Sequence, residues 1–202
     1  MKEKKSSTLF LTQLALLAAV ELIFAFTPLG SIPITVGIVA TLFHLPVIVA
    51  GLMLGRKAAL YLGTLAGLCS LYAYSTYLSG TPGAFAFSPF APNGEWYSLL
   101  ICLVPRMFFG WAARVLYDFL VKKWEKAPKI IFGGIAGMMG ALIHTFLVLS
   151  GIYLGFSGHG AVGVSVVNFV IAWAGVNAIL EAVTALLVGG AAVSRIGKRD
   201  DD

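Results

Sequence analysis

Six long apolar runs divide the chain, at about 9–27, 34–54, 58–78, 97–121, 130–154 and 164–193. Each approaches or exceeds the roughly 20 residues that a helix needs to cross the hydrocarbon core of a bilayer. The breaks between them alternate in kind. Lys2, Lys4 and Lys5 precede the first run, Arg56 and Lys57 separate the second from the third, and the connector KKWEKAPK at 122–129 separates the fourth from the fifth. Arg195, Lys198 and Arg199 follow the sixth, whereas the three other loops contain neither Lys nor Arg. Basic loops mark the cytoplasmic side of membrane proteins. The pattern therefore predicts one all-α integral membrane domain over 1–202, with six transmembrane helices and both termini cytoplasmic.

Composition sharpens this picture. The chain is 59% hydrophobic and 11% charged, with mean hydropathy +0.92, whereas a soluble domain carries about 25% charged residues. The net charge of +5 is explained by the topology clusters, and no nucleic-acid-binding motif accompanies it. The start resembles a secretory signal, but the first run is too long, contains Glu21 and lacks a clean cleavage site, so it is predicted as a span. His44 and Pro46 interrupt the second run, where a kink is predicted. The loop SGTPGAFAFSPFAPNGEW at 79–96 is rich in Pro and Gly yet carries Phe85, Phe87, Phe90 and Trp96. Long ordered loops are usually functional, and this one is predicted to fold back over the outer side of the bundle as a lid.

Few residues are left to carry chemistry. Cys69 and Cys102 lie in apolar runs and read as small buried hydrophobes. His44, His144 and His159 stand on different segments without metal-ligand spacing, so no metal or other cofactor is expected and helix-packing or loop roles are assigned. Neither a phosphate-binding GxxxxGK[ST] loop nor a GxSxG elbow occurs. The chain is thus read as a non-enzyme, and any uphill transport requires ATP hydrolysis by another subunit. An intramembrane enzyme assembled from Glu21, Arg106, His144 and Glu181 finds no support in their spacing. A stand-alone secondary transporter lacks the expected inverted repeat.

Arg106 lies about nine residues inside the fourth run, roughly 13 to 15 Å from its outer boundary at 1.5 Å per residue. An intramembrane arginine normally faces the bundle interior and has a partner, because its insertion near the midplane costs about 2.5 to 3.5 kcal/mol. Two readings remain open: a structural ion pair with Glu181 or Glu21, or a bidentate grip on the carboxylate of a solute. Asn168, Trp173 and Asn177 on the sixth run, with Phe85 and Phe87 of the loop, are candidates for the remainder of a site. Glu21 is either the arginine's partner or a site residue, and Glu181 is expected nearer the inner leaflet in a structural role. Small residues recur at i, i+4 in Ala15/Ala19, Gly51/Gly55, Gly63/Gly67, Gly133/Gly137 and Ala178/Ala182. Such pairs let helices approach closely, within this bundle or against a second membrane protein.

The chain resembles the substrate-binding (S) components of energy-coupling factor transporters, the prokaryotic vitamin importers. The resemblance rests on the six-span pattern, on Ala15-Leu-Leu-Ala-Ala19 as the family's AxxxA motif, and on PITVGIVATLFHLPVIVAGLMLG leading into GRKAALYLGTLAGL. FSPF (Phe87 to Phe90) ahead of VPR (Val104 to Arg106) completes it. Within the family it looks most like the pantothenate-specific members, while folate, riboflavin and cobalamin relatives share the scaffold. The resemblance implies a prokaryotic cell-membrane subunit that captures a vitamin from outside, in a pocket between the outer halves of the fourth to sixth helices. It further implies toppling against a transmembrane coupling subunit, driven by two cytoplasmic ATPase subunits, with Ala15 and Ala19 as the docking face.

Overall fold

The computed structural model describes the backbone of residues 2–35, 38–81, 83–156 and 176–200, and side chains in 8–27, 29–30, 42–81, 83–156 and 178–194. Among them are six helices: α1 (Lys2–Phe26), α2 (Leu45–Leu54), α3 (Arg56–Ser75), α4 (Tyr97–Lys123), α5 (Lys129–Phe156) and α6 (Val176–Asp200). Two short strands, β1 (Ser31–Thr35) and β2 (Ile38–Thr41), lie between α1 and α2. Four helices are long and apolar enough to cross a membrane: α3, α4, α5 and the Thr8–Phe26 part of α1. The chain is a helical bundle of membrane-protein character.

The second apolar run does not form the helix expected over 34–54. Its first part pairs as an antiparallel hairpin, Ser31 opposite Thr41 and Ile32 opposite Ala40, and the Leu42 N–H extends the ladder to the Gly30 carbonyl at 2.9 Å. The reason is local. Ile32, Ile34, Thr35, Ile38, Val39 and Thr41 are β-branched and suit a pleated strand, while Pro33 cannot donate within a helix. Pro46 then opens α2 in the first turn, where its missing N–H costs nothing. At about 1.5 Å per residue α2 covers only about half the thickness of a bilayer core. The strands take up 34–35 and Ile38–Thr41 of the run, and β2 packs beside α6. The final helix also differs from the run at 164–193: it is described from Val176 and continues to Asp200, and the start of that run lies outside the described residues.

Close helix contacts are made where side chains vanish. Gly133 and Gly137 of α5 lie against Gly189, Val193 and Ala185 of α6, Gly63 of α3 against the Arg106 carbonyl of α4, and Gly51 of α2 against the Gly110 carbonyl. The pairs Gly63/Gly67 and Gly133/Gly137, and Gly51 of a third pair, thus contribute to packing within the bundle. Gly55 does something else: with φ +102 and open space around it, it makes the α2–α3 corner, a conformation that disfavours other residues. Beside that corner, Arg114 of α4 donates from Nη1 to the Leu52 carbonyl at 2.8 Å and from Nε to Asp118 at 2.7 Å. Arg56 meets the same carboxylate at 2.8 Å. A cation over the last carbonyls of α2 complements its helix dipole. The helix α1 sits at the rim, against α2 and α3, with Leu11, Ala15, Leu16, Ala19 and Ile23 on its exposed side.

Candidate functional site

A cavity of about 350 Å³ opens at the end of the bundle away from the Arg56 corner. Its walls are Phe24 to Phe26 at the end of α1 with Thr27 after it, Phe43 and His44 ahead of α2, and a stripe of α3 comprising Ala66, Cys69, Ser70, Ala73 and Tyr74, continued by Tyr77 and Leu78 just beyond the helix. Arg106 and Phe109 of α4, His144 of α5 and Glu181 of α6 complete it. The α3 stripe follows helical spacing, so one face lines the space while the opposite residues Leu68 and Tyr72 are exposed. Most of the lining is apolar and a few polar groups converge on it, the usual make-up of a small-molecule site.

Arg106 is the cation of this cavity. Pro105 precedes it inside α4 and has no N–H to offer the preceding turn. The arginine side chain folds back on that turn, donating from Nη1 to the Cys102 carbonyl at 2.9 Å. Its guanidinium lies over the Phe87 ring, 4.9 Å from the centroid, a favourable placement for a cation on an aromatic face. Only 8% of the residue is exposed. Among the described residues no carboxylate comes within ion-pair distance of it, the ion pairs being those of Arg56 and Arg114 with Asp118. Among the described residues its other N–H groups make no hydrogen bond and are not sealed from solvent, and the residue lines the cavity.

The loop at 79–96 explains why Phe87 is there. Ser88 shares a 2.7 Å hydrogen bond with Ser75 at the end of α3, and Ser98 of α4 donates to the Phe85 carbonyl at 2.6 Å. Tied at both sides, the loop turns Phe87 inward, 2% exposed, against Tyr74 with ring centroids 4.8 Å apart. Phe85 meets Phe156 edge-on at 4.9 Å. The loop does fold back on the bundle, but as a wedge behind Arg106 rather than a lid: none of its described residues lines the cavity. The mouth is framed instead by the end of α1, where the Tyr77 hydroxyl donates to the Ala25 carbonyl at 2.8 Å.

The other candidates are distributed as follows. Asn168, Trp173 and His159 lie outside the described residues, and Asn177 is placed on α6 by its backbone alone. Glu21 is fully buried, and both carboxyl oxygens lack a hydrogen-bond partner among the described residues. It does not line the cavity and is not within ion-pair distance of Arg106. Glu181, expected near the other end, lines the cavity, and Thr145 donates to its Oε2 at 3.2 Å. His44 and His144 line it as well, His144 packing on Phe109 at 5.2 Å. Among the described residues no group of three or more metal-ligating side chains is assembled.

Tyr74, Ser70 and Tyr77 escaped the sequence reading because α3 reads as apolar throughout. The available signal was the polar and small residues at 66, 69, 70, 73, 74 and 77, one helical face. Arg114 and Asp118, an i, i+4 pair within the same run as Arg106, were also passed over; their spacing was the sign of a self-contained ion pair.

No protein-family profile matches the chain. It is 36% identical over 121 residues to the pantothenic acid transporter PanT of Lactococcus lactis subsp. cremoris (strain MG1363), a match that spans 57% of this chain and 57% of the length of that relative. The resemblance to pantothenate-specific proteins seen in the motifs thus extends to a curated relative bearing that solute in its name.

Proposed function

We propose that the chain is the membrane-embedded solute-binding subunit of a vitamin importer, and that its solute is pantothenate. The observation that carries this reading is Arg106: a buried guanidinium without a carboxylate partner among the described residues, opening on a cavity of about 350 Å³. The cost of keeping that charge from water is offset when a solute carboxylate enters and takes its free donors. Phe24, Phe43 and Phe109 offer apolar surface for a branched carbon body, and Tyr74, Ser70 and His144 offer polar groups for an amide and hydroxyls. The relative named for pantothenic acid supports the choice of solute. With the basic loops cytoplasmic, the cavity faces outward.

In this reading the chain performs no hydrolysis itself. ATP is split by two cytoplasmic subunits, and a transmembrane coupling subunit docks on the exposed α1 face at Ala15 and Ala19. Small residues there permit the close helix approach that docking in lipid requires.

Two measurements test the proposal. Calorimetric titration of the detergent-solubilised protein with pantothenate should show binding, and Arg106→Ala should weaken it by about 2 to 5 kcal/mol, the loss typical of a broken buried charge pair. Unchanged affinity would make Arg106 structural. Ala19→Trp should abolish co-purification with the coupling subunit while leaving pantothenate affinity intact; the reverse result contradicts the docking assignment.

A further inference from the structure

We propose that the Tyr74 hydroxyl is the second donor of an anion clamp whose first donor is Arg106, and that the Phe87 ring sets both in place. The proposal rests on the functional reading above and assigns the two groups that hold the solute's carboxylate.

Three observations carry it. First, Arg106 and Tyr74 come from different helices, α4 and α3, yet both line the same cavity. Second, both pack on one ring: the guanidinium lies 4.9 Å from the Phe87 centroid, and the Tyr74 ring stacks at 4.8 Å with an interplanar angle of 31°. Phe87 is itself immobilised by the Ser75–Ser88 and Ser98–Phe85 hydrogen bonds. A shared, rigid platform fixes the separation of two donors in the way that preorganised recognition requires. Third, the Tyr74 hydroxyl makes no hydrogen bond among the described residues, and it is not among the polar atoms sealed away from solvent. It is therefore left to the cavity, as are the free N–H groups of Arg106.

The chemistry of the pair selects the ligand. Arginine donates only, and a phenol that shares a cavity with a guanidinium donates best to an acceptor carrying negative charge. A carboxylate offers two oxygens, enough for both donors at once. The apolar part of the lining, with Phe24, Phe43, Ala66 and Phe109, suits a carbon body, while Glu181 and the two histidines of the same cavity remain for polar groups of the solute.

The experiment uses the full chain in detergent and two probes, pantothenate and panthenol, which differ in that an alcohol replaces the carboxylate. Affinity for pantothenate is read by calorimetry and that for panthenol by competition. Tyr74→Phe retains the ring on Phe87 and removes the hydroxyl alone. It is expected to weaken pantothenate binding about tenfold, the scale of one hydrogen bond to a charged group, and to leave panthenol within about twofold. Phe87→Leu, which frees both donors, should show the same selectivity with a larger loss. Equal losses on both probes would make Tyr74 a packing residue and overturn the clamp, as would a Tyr74→Phe protein that binds pantothenate like the wild type. If the wild-type protein fails to bind pantothenate at all, the functional reading itself falls, and the clamp with it.

Discussion

Arg106 and Arg114 lie on one helix, eight residues or about 12 Å apart along its axis, and they meet opposite surroundings. Arg114 is the more exposed, with 26% of its side chain accessible, yet it has an Asp118 carboxylate at 2.7 Å and the Leu52 carbonyl at 2.8 Å. Arg106 is the more buried, yet its one hydrogen bond among the described residues goes to its own helix, and its face rests on a ring that cannot neutralise it. The cost of placing an arginine in a membrane protein therefore does not by itself reveal a function. What separates the two is saturation. Partners supplied by α2 and α4 complete Arg114, whereas among the described residues Arg106 meets no carboxylate, and in the proposed reading a solute supplies one.

Replacing each arginine by alanine should pull affinity and stability apart. Arg106→Ala carries the largest expected effect, the loss of about 2 to 5 kcal/mol in solute binding, without lowering the melting temperature of the ligand-free protein. A variant that melts early would show that Arg106 supports the fold as Arg114 does. Next in size is Gly63→Val, which acts on both readouts. A side chain at Gly63 would collide with the Arg106 carbonyl, so α3 and α4 must separate at a cost of about 1 to 3 kcal/mol. Melting should fall, and solute affinity with it, because Tyr74 and Arg106 sit on the two helices being parted. Intact affinity in a destabilised Gly63→Val protein would mean that the site does not depend on that seam.

How far this contrast could be read in advance depended on the element. The long runs of α1, α3, α4 and α5 were legible because length and hydropathy suffice for a helix crossing lipid. The run at 34–54 was not, since hydropathy counts Ile, Val and Thr alike in a strand or a helix. Their β-branching, with Pro33 between them, decided for the hairpin. Arg106 was legible as a charge among apolar residues, but its environment was not. That Phe87 would lie beneath the guanidinium depends on Ser75, Ser88 and Ser98 tying down a loop, long-range contacts that no local pattern encodes. The same i, i+4 spacing also had two outcomes. Gly63/Gly67 is buried against α4, while Ala15/Ala19 remains exposed at the rim, so spacing alone does not say what a small-residue face is for.

The smaller effects belong to the saturated arginine. Arg114→Ala should lower the stability of the ligand-free protein by about 1 to 2 kcal/mol, through loss of the cation over the α2 carbonyls and of its bond to Asp118. Solute affinity should stay within about 0.5 kcal/mol, as the corner lies at the opposite end of the bundle from the cavity. Arg56→Ala should do less still. Arg56 holds the same carboxylate from the side, at 2.8 Å, but its side chain is 52% exposed, and exposed pairs contribute about 0 to 1 kcal/mol. Asp118 would keep Arg114 as its partner, so no buried charge is stranded. Thermal melts of Arg56→Ala at low and high salt check this: a shift of a degree or two should shrink as salt screens the pair. A large, salt-independent loss would show that Arg56 holds the Gly55 corner by packing, and that the Asp118 cluster is saturated only when both arginines are present.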